Sequence, residues 1–145
     1  MEPSPAGSRS AAASRVRLIL ICLGGALGTG ARYLAGGVVA RWLGSDFPYG
    51  TLLVNVLGSF LVGLIQQVGL TTLLISDTVR LVLTIGVMGG FTTYSSFSYE
   101  TLKLVESGDW LHAGLNVFLT TTLCLLGCGL GLELGRVVTA ARGGL

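Results

Sequence analysis

Hydroxyl side chains are concentrated in one stretch that is otherwise apolar enough to lie in a membrane. Six of them fall within residues 92–98, which follow the glycine pair Gly89-Gly90 after one residue, Phe91. The surrounding run from Leu81 to Tyr99 carries no formal charge, and it has the length that a helix needs to cross a hydrocarbon core. Polar groups at membrane depth persist only where they are buried against protein or line a polar cavity. The stretch 89–98 therefore predicts the wall of a pathway or a binding site.

The glycine pair predicts that the helix through this stretch is broken at Gly89-Gly90. The hydroxyls of Thr92 and Thr93 compete for backbone carbonyl groups, so they favour the same interruption. Unwound carbonyl oxygens in a dry interior need a partner, and they are suitable ligands for a cation. Beyond the break, Tyr94 and Phe97 lie at i, i+3 and interleave aromatic rings with hydroxyls. The alternative is that the hydroxyls only pack against neighbouring helices, but six of them exceed what packing requires.

Two further polar residues lie inside apolar runs. Arg32 is followed by Tyr33, which favours a side chain that reaches towards the membrane interface. The alternative for Arg32 is a cation at the mouth of an anion pathway. Asn55 lies one or two turns into the second apolar segment, where an amide either makes an interhelical hydrogen bond or faces a bound or conducted species. For Asn55 the sequence leaves both alternatives open.

The remaining reactive side chains do not form a catalytic or metal site by their spacing. Cys22, Cys124 and Cys128 lie in apolar runs and are interpreted as packing residues, although the last two share a helix face. His112 follows Trp110 and is expected at the level of the lipid headgroups. Because no nucleophile lies near a base, an enzyme is not expected. A net charge of +2 with scattered basic residues does not favour a nucleic-acid partner.

The composition indicates a small polytopic membrane protein. The 145 residues are 51% hydrophobic and 11% charged, whereas soluble domains have about 25% charged residues. Charged residues separate apolar runs of spanning length, and the two runs that flank Arg32 combine into one. This predicts an all-α membrane protein with four transmembrane helices in one domain, residues 15–145, after a disordered tail, residues 1–14. The predicted spans are about 16–42, 49–69, 79–105 with a break near 89–93, and 110–136.

Small residues predict close helix packing in the first and last spans. Residues 24–30 include four glycines, and a second stripe repeats at intervals of four, which lets another backbone approach closely. The members of this second stripe are Gly127, Gly131 and Gly135. In the last span, Asn116 and Thr120 align on one face at i, i+4. The acidic segment 100–109 is interpreted as a solvated loop that continues the third helix out of the membrane.

The basic residues barely favour one orientation of such a bundle. Six arginine and lysine residues lie on the side of the two termini and three lie on the other side. Without Arg9 and Arg142, which are close to the chain ends, the counts are four and three, which scarcely selects an orientation. A chain that inserts both ways up is compatible with an antiparallel pair whose twofold axis lies in the membrane plane.

Four signatures follow one another along the chain. They are Gly24-Gly25-x-x-Gly28-x-x-x-Arg32-Tyr33, then Pro48-Tyr49-Gly50-Thr51-x-x-Val54-Asn55-x-x-Gly58-Ser59, then Gly89-Gly90-Phe91-Thr92-Thr93-Tyr94-Ser95-Ser96-Phe97-Ser98, and the glycine-striped last helix. Together they resemble the small fluoride channels of bacteria, the Fluc or CrcB family. The likeness covers nearly everything from Gly24 to Gly135, and the four signatures in this order are highly specific.

The resemblance implies a fluoride-selective channel that exports cytoplasmic fluoride passively and lowers its toxicity, as a multi-pass protein of the cell membrane. It further implies an antiparallel, dual-topology homodimer with two pores and a structural Na⁺ at the dimer centre. The backbone carbonyls of Gly89 and Thr92 of each chain would hold this ion. The pore residues that the resemblance implies are Asn55, Tyr94, Ser95, Phe97, Ser98 and Thr120, and Arg32 is a further site residue.

Two positions depart from the pattern of the family. The family usually has Phe at the position of Tyr94, so the ring here carries an additional hydroxyl. The last helix of the family often has Tyr where Asn116 stands.

Two other functions remain open from the residues alone. A small proton-coupled exporter requires a carboxylate embedded in the membrane, and the one available by position, Glu133, lies at a helix end. A structural membrane subunit, whose glycine stripes only assemble a larger complex, is the second alternative.

Overall fold

The structure is a computed structural model that describes the backbone of residues 5–71 and 75–143 and the side chains of 13–71 and 75–141. Within these residues the chain forms three long helices and one segmented helix. The elements are α1 (Pro5–Leu43), α2 (Tyr49–Thr71), α3 (Asp77–Leu81), a π-helical segment (Val82–Met88), α4 (Gly89–Phe91), α5 (Tyr94–Glu106) and α6 (Trp110–Gly143). The segmented helix runs from α3 to α5.

Three helices are long and apolar enough to cross a membrane. They comprise Ala13–Leu43, Tyr49–Thr71 and Trp110–Ala141. Large apolar side chains on their outer faces are exposed, among them Leu27, Phe118 and Leu125. Apolar surface of this extent fits lipid, since soluble monomers rarely leave such large patches open. The structure thus confirms an all-α protein with membrane-compatible helices, and the bent, segmented helix is the fourth element.

Helix α1 begins earlier than the sequence predicts. It starts at Pro5, so residues 5–14, which were predicted as a disordered tail, are helical, while residues 1–4 lie outside the described residues. The alanines of this segment have the highest helix propensity, and extension of an existing helix needs no new nucleus. Helix α6 extends beyond its predicted end near residue 136 in the same way and reaches Gly143.

The break in the segmented helix lies two residues beyond the glycine pair at which it was predicted. Gly89 and Gly90 are helical in α4, whereas Thr92 and Thr93 have extended backbone, with ψ angles of 159° and 106°. The hydroxyl of Thr93 caps α5 and accepts from the backbone N–H of Ser96 at 3.1 Å, a typical role of threonine at a helix start. The break therefore ends at the capping residue Thr93 and lies within the predicted range 89–93.

Gly90, the second glycine of the pair, serves close helix packing instead. A Cβ atom at Gly90 would lie 3.1 Å from the Cα of Gly25 on α1, which is too close for ordinary packing. Also on α1, a Cβ at Gly28 would lie 2.9 Å from the backbone nitrogen of Phe91. Helix α1 and the segmented helix are therefore in backbone contact next to the break.

The π-helical segment Val82–Met88 was not predicted from the sequence. The hydroxyl of Thr84 within it donates to the carbonyl of Arg80 at 2.8 Å. Wider helical turns of this kind often occur near functional sites. Here the segment leads directly into α4 and the break.

The second glycine stripe packs on α2 of the same chain. A Cβ at Gly131 would lie 2.9 Å from the backbone nitrogen of Leu64, and one at Gly127 would lie 3.2 Å from the carbonyl oxygen of Val56. The prediction of a close helix partner for this stripe is confirmed, and the partner is intramolecular.

Candidate functional site

Asn55 holds the backbone of the break. Its side-chain Nδ2 donates to the carbonyl oxygen of Thr93 at 3.0 Å, and its Oδ1 accepts from the backbone N–H of Thr93 at 2.7 Å. Both residues are buried, and Asn55 is 7% exposed. An amide that satisfies both backbone groups of one residue replaces the helical hydrogen bonds lost there, which otherwise cost free energy in an apolar interior. An amide also has a second N–H, which remains available.

The same contacts remove helical hydrogen bonds from the two carbonyl groups that the family resemblance implies as Na⁺ ligands. In an unbroken helix, Gly89 O would accept from the N–H of Thr93, and Thr92 O would accept from the N–H of Ser96. Here the first N–H donates to Asn55 and the second donates to the Thr93 hydroxyl. The carbonyls of Gly89 and Thr92 thus lose the amide partners that a continuous helix would give them.

A groove of about 520 Å³ runs past the break between α2, α5 and α6. We call it the central groove. It combines an amide, hydroxyls, two aromatic rings and two thiols on a largely apolar wall. The central groove is lined by Asn55, Gly58, Ser59, Val62, Thr92, Tyr94, Phe97, Thr120, Thr121, Cys124, Leu125 and Cys128.

Four of the six predicted pore residues line this groove, namely Asn55, Tyr94, Phe97 and Thr120. The rings of Tyr94 and Phe97 lie 5.4 Å apart in a tilted arrangement. Phe97 is buried, whereas Tyr94 is 80% exposed at the open side of the groove. The groove therefore has one wall of aromatic rings, and part of that wall faces outward.

The two predicted serines lie outside the lining of the central groove. The Ser95 hydroxyl is 3.2 Å from the Thr93 hydroxyl, next to the cap of α5. The Ser98 hydroxyl donates to the carbonyl of Tyr94, one turn back on α5, at 3.0 Å. Their hydroxyls are thus engaged locally on α5, as is common for serine in membrane helices.

A chain of hydrogen bonds connects α6 to α5 beside the groove. The hydroxyl of Thr120 donates to Asn116 Oδ1 at 3.3 Å, and Asn116 Nδ2 donates to the Thr101 hydroxyl at 2.8 Å. Thr101 in turn donates to the carbonyl of Phe97 at 2.7 Å. Asn116 is 0% exposed, so the position that departs from the family pattern lies at the centre of this chain.

Replacement of Asn116 by valine is expected to lower the free energy of unfolding by about 1–3 kcal/mol, because the buried Thr120 hydroxyl loses its acceptor. Thermal unfolding of the purified protein in detergent measures the change. Thr122→Val, on the same helix but outside this chain of bonds, is the control and should alter the midpoint much less. An Asn116→Val midpoint equal to that of the unaltered protein would contradict the interpretation.

Sequence reasoning missed a second polar contact, between α2 and α5. The Thr51 hydroxyl donates to Glu100 Oε1 at 2.8 Å, and Glu100 Oε2 is also buried. From sequence, Glu100 was assigned to a solvated loop. In the structure α5 continues to Glu106, and the helix places Glu100 half-buried against α2. It lines a pocket of about 480 Å³ together with Asp46 and Lys103. The feature of the sequence that could have indicated this contact is Thr51, which belongs to the second signature.

Arg32 contacts the segmented helix. Its Nε donates to the carbonyl of Gly90 at 3.0 Å, so the half-buried side chain joins α1 to α4 directly beside the break. It also lines a separate pocket on the outer face of α1 together with Arg41. One N–H of the Arg32 guanidinium is therefore hydrogen-bonded within the protein. The side chain lies close to the break and not only at the membrane interface.

The turn between α5 and α6 is closed by an aspartate. Asp109 Oδ1 accepts from the backbone N–H of His112 at 3.2 Å, and Asp109 Oδ2 lies 2.6 Å from His112 Nδ1. The His112 ring in turn packs 6.0 Å from the ring of Phe47, in the α1–α2 connection. These contacts with His112 lower the pKa of Asp109 below its ordinary value of 3.8.

The lowered pKa of Asp109 predicts a pH-dependent stability. The contribution is present above the ordinary pKa of 3.8 and is lost as the pH falls through the lower, folded-state value. Thermal unfolding at pH 6 and pH 3, in the unaltered protein and in Asp109→Asn, measures it. The drop in midpoint between the two pH values should be smaller in the variant, and an equal drop would contradict the assignment.

The fold and the groove together define a class of protein. A small helical bundle with a lipid-compatible exterior, one broken helix and a polar groove at the break is a membrane protein built around a pathway or an ion site. Comparison with known proteins gives the family. Residues 19–132 match the family described as "CrcB-like protein, Camphor Resistance (CrcB)", and the chain belongs to this family.

Three curated relatives share one name. A protein of Geobacter sulfurreducens called "Fluoride-specific ion channel FluC" is 50% identical over 119 residues, which cover 82% of this chain and 96% of the relative. A protein of the same name from Sorangium cellulosum is 49% identical over 124 residues, 86% of this chain and 98% of the relative. Another, from Anaeromyxobacter dehalogenans, is 55% identical over 109 residues, 75% of this chain and 86% of the relative.

Proposed function

We propose that this protein is a fluoride-selective channel of the cell membrane that lets cytoplasmic fluoride leave passively. The observation that carries the proposal is the Asn55 amide, which holds a broken helix open beside a groove of hydroxyls and aromatic rings. The names of the relatives, over more than four fifths of the chain for two of them, support fluoride as the ion. Such a channel relieves fluoride that accumulates after neutral HF has entered the cell.

Fluoride is small and strongly hydrated, so a selective path must replace its water shell closely. The second N–H of Asn55 and the hydroxyls of Ser59 and Thr121 are donors at the central groove. The positive edges of the rings of Tyr94 and Phe97 complete the shell where donors are few. Donors and ring edges that enclose this small ion closely would hold larger halides less well, which is the physical basis of the proposed preference for fluoride.

The open side of the groove favours a second copy of the chain as its other wall. Tyr94 is 80% exposed although it lines the groove, and a large aromatic ring in that position is suited to cover by a partner. We infer a homodimer with antiparallel subunits, because the basic residues scarcely select one orientation. Two pores, each lined by residues of both subunits, follow from the twofold symmetry.

The carbonyls at the break fit a structural Na⁺. Gly89 O and Thr92 O lose the amide partners that a continuous helix would give them, and hard cations prefer such oxygen ligands. Two carbonyls from each subunit of the inferred dimer make a set of four. The ion would supply positive charge near the anion path and would bind the two subunits together.

The two alternative functions have less support. The carboxylate that a proton-coupled exporter would use by sequence position, Glu133, is exposed and paired with Arg136 one turn along α6, as expected of a surface residue. Glu100 is closer to the interior, but it accepts from Thr51. For a structural subunit, the glycine stripe of α6 would have to face another protein, whereas it packs on α2.

Expression in a bacterial strain that lacks its own fluoride export tests the proposal. The chain should restore growth in medium with added fluoride, and Asn55→Ala at equal membrane abundance should not. A proton-coupled drug exporter would instead restore growth in a cationic drug. Abundant protein in the membrane without any gain in fluoride resistance would contradict the proposed function.

A further inference from the structure

The central groove contains two side chains whose chemistry anion conduction does not use. Cys124 and Cys128 are free thiols, both half-buried, and both line the groove. They lie in the uninterrupted helix α6, where side chains at i and i+4 share a face with Cβ atoms about 5–6 Å apart. Thr120 precedes Cys124 by the same interval, so one helix face carries hydroxyl and thiols in line.

We propose that Cys124 and Cys128 form a two-thiolate binding site for a soft divalent cation, with Hg²⁺ as its probe. Thiolate sulfur prefers soft metal ions, and the mercuric ion is satisfied by two sulfur ligands on opposite sides. A spacing of one helical turn between the two Cβ atoms lets the side chains enclose a single ion. Both thiols line the same groove, and the site requires both of them as ligands.

The charge balance also selects this class of ion. Each thiol loses one proton to water, and two thiolates with one divalent cation form a neutral complex that leaves no net charge at membrane depth. A monovalent soft cation with two thiolates would leave a negative charge. Zinc requires about four ligands, and residues 13–71 and 75–141 contain no group of three or more histidine, cysteine or acidic side chains suited to a metal.

An ion bound there obstructs the groove. It occupies the wall one to two turns along α6 from Thr120, on the face that also carries the hydroxyl chain to Asn116. Hg²⁺ therefore blocks fluoride efflux when it is bound. This blocking effect rests on the proposed function, whereas the binding itself does not.

Cys22 provides the matched control, because it is an exposed thiol on α1 and is absent from the groove lining. The test uses full-length protein with Cys22→Ser as the parent, reconstituted in liposomes. The parent should bind one Hg²⁺ per chain in a thiol-competition titration. Cys124→Ser and Cys128→Ser, each added to the parent, should weaken binding at least about tenfold, since changes at residues that only support metal ligands already cost that much.

Fluoride efflux from the same liposomes supplies the second readout. Hg²⁺ should stop efflux in the parent and leave it unchanged in both added variants. Binding in either single variant that is as tight as in the parent would overturn the two-thiolate site, because one thiol would then suffice. Binding without any change in efflux would overturn the block. Tight, thiol-dependent binding in liposomes that release no fluoride even before Hg²⁺ is added would instead refute the proposed function and leave the site in place.

Discussion

Replacement of Asn55 by alanine is expected to reduce fluoride efflux at least about a hundredfold. The variant leaves the backbone N–H and C=O of Thr93 without the partners at 2.7 and 3.0 Å. Each buried group that loses its partner costs about 1–3 kcal/mol, and about 2.8 kcal/mol corresponds to a hundredfold change in a population. The open break therefore gives way to other backbone arrangements, and the groove also loses an amide donor. Initial fluoride efflux from liposomes measures the effect.

Two further variants separate the possible roles of Asn55. Asn55→Asp keeps an acceptor for the Thr93 N–H but places a negative charge in the path of an anion, so it should be as inactive as Asn55→Ala. Val62→Ala changes the apolar lining of the same groove without removing a donor or touching the break, and it should retain most of the efflux. Efflux in Asn55→Ala close to that of the unaltered protein would show that the break does not depend on this amide.

Replacement of Gly28 by valine is expected to prevent a stable fold. Even the first added atom, Cβ, would lie 2.9 Å from the backbone nitrogen of Phe91 and from the carbonyl carbon of Val87. Backbone atoms cannot rotate away as a side chain does, so α1 has to separate from the segmented helix. Overpacking typically costs about 1–3 kcal/mol, and separation of these helices also endangers the bond from Arg32 to Gly90. Yield and monodispersity on size-exclusion chromatography in detergent measure the result.

The neighbouring Gly30 is a matched control for this prediction. It lies on the same helix two residues further along, and a Cβ there has no atom within 4 Å among the described residues. Gly30→Val should therefore give folded protein in nearly normal yield. If Gly28→Val were equally well behaved, the close approach of α1 to the segmented helix would be wrong.

The sequence predicted the elements of this fold because their signals are local. Apolar runs bounded by charges marked three of the four helices within a few residues of their observed starts, and glycine intervals of four marked the face of α6 that packs on α2. The break was placed within 89–93, since glycine and threonine both weaken a helix. Its exact position depended on which threonine caps α5, and several hydroxyls in a row compete for that role.

The site was less predictable because its decisive contacts join residues that are distant in the chain. Asn55 and Thr93 are 38 positions apart, and Thr51 and Glu100 are 49 apart. From sequence, Asn55 was left open between an interhelical hydrogen bond and an amide that faces a bound or conducted species. The structure shows its hydrogen bonds to Thr93 and places it in the lining of the groove. Ser95 and Ser98 carry hydroxyls as Thr120 does, but Ser95 lies next to the Thr93 hydroxyl that caps α5, and Ser98 donates to the carbonyl of Tyr94 within α5.

The central claim, selective passive conduction of fluoride, is tested most directly by ion release from liposomes. Purified protein is reconstituted into vesicles loaded with potassium fluoride or potassium chloride, and valinomycin is added so that potassium can leave with the anion. A selective, passive fluoride channel should give rapid release of fluoride, little release of chloride, and no requirement for a pH gradient across the membrane. Chloride release as fast as fluoride release, or fluoride retained as in protein-free vesicles, would contradict it.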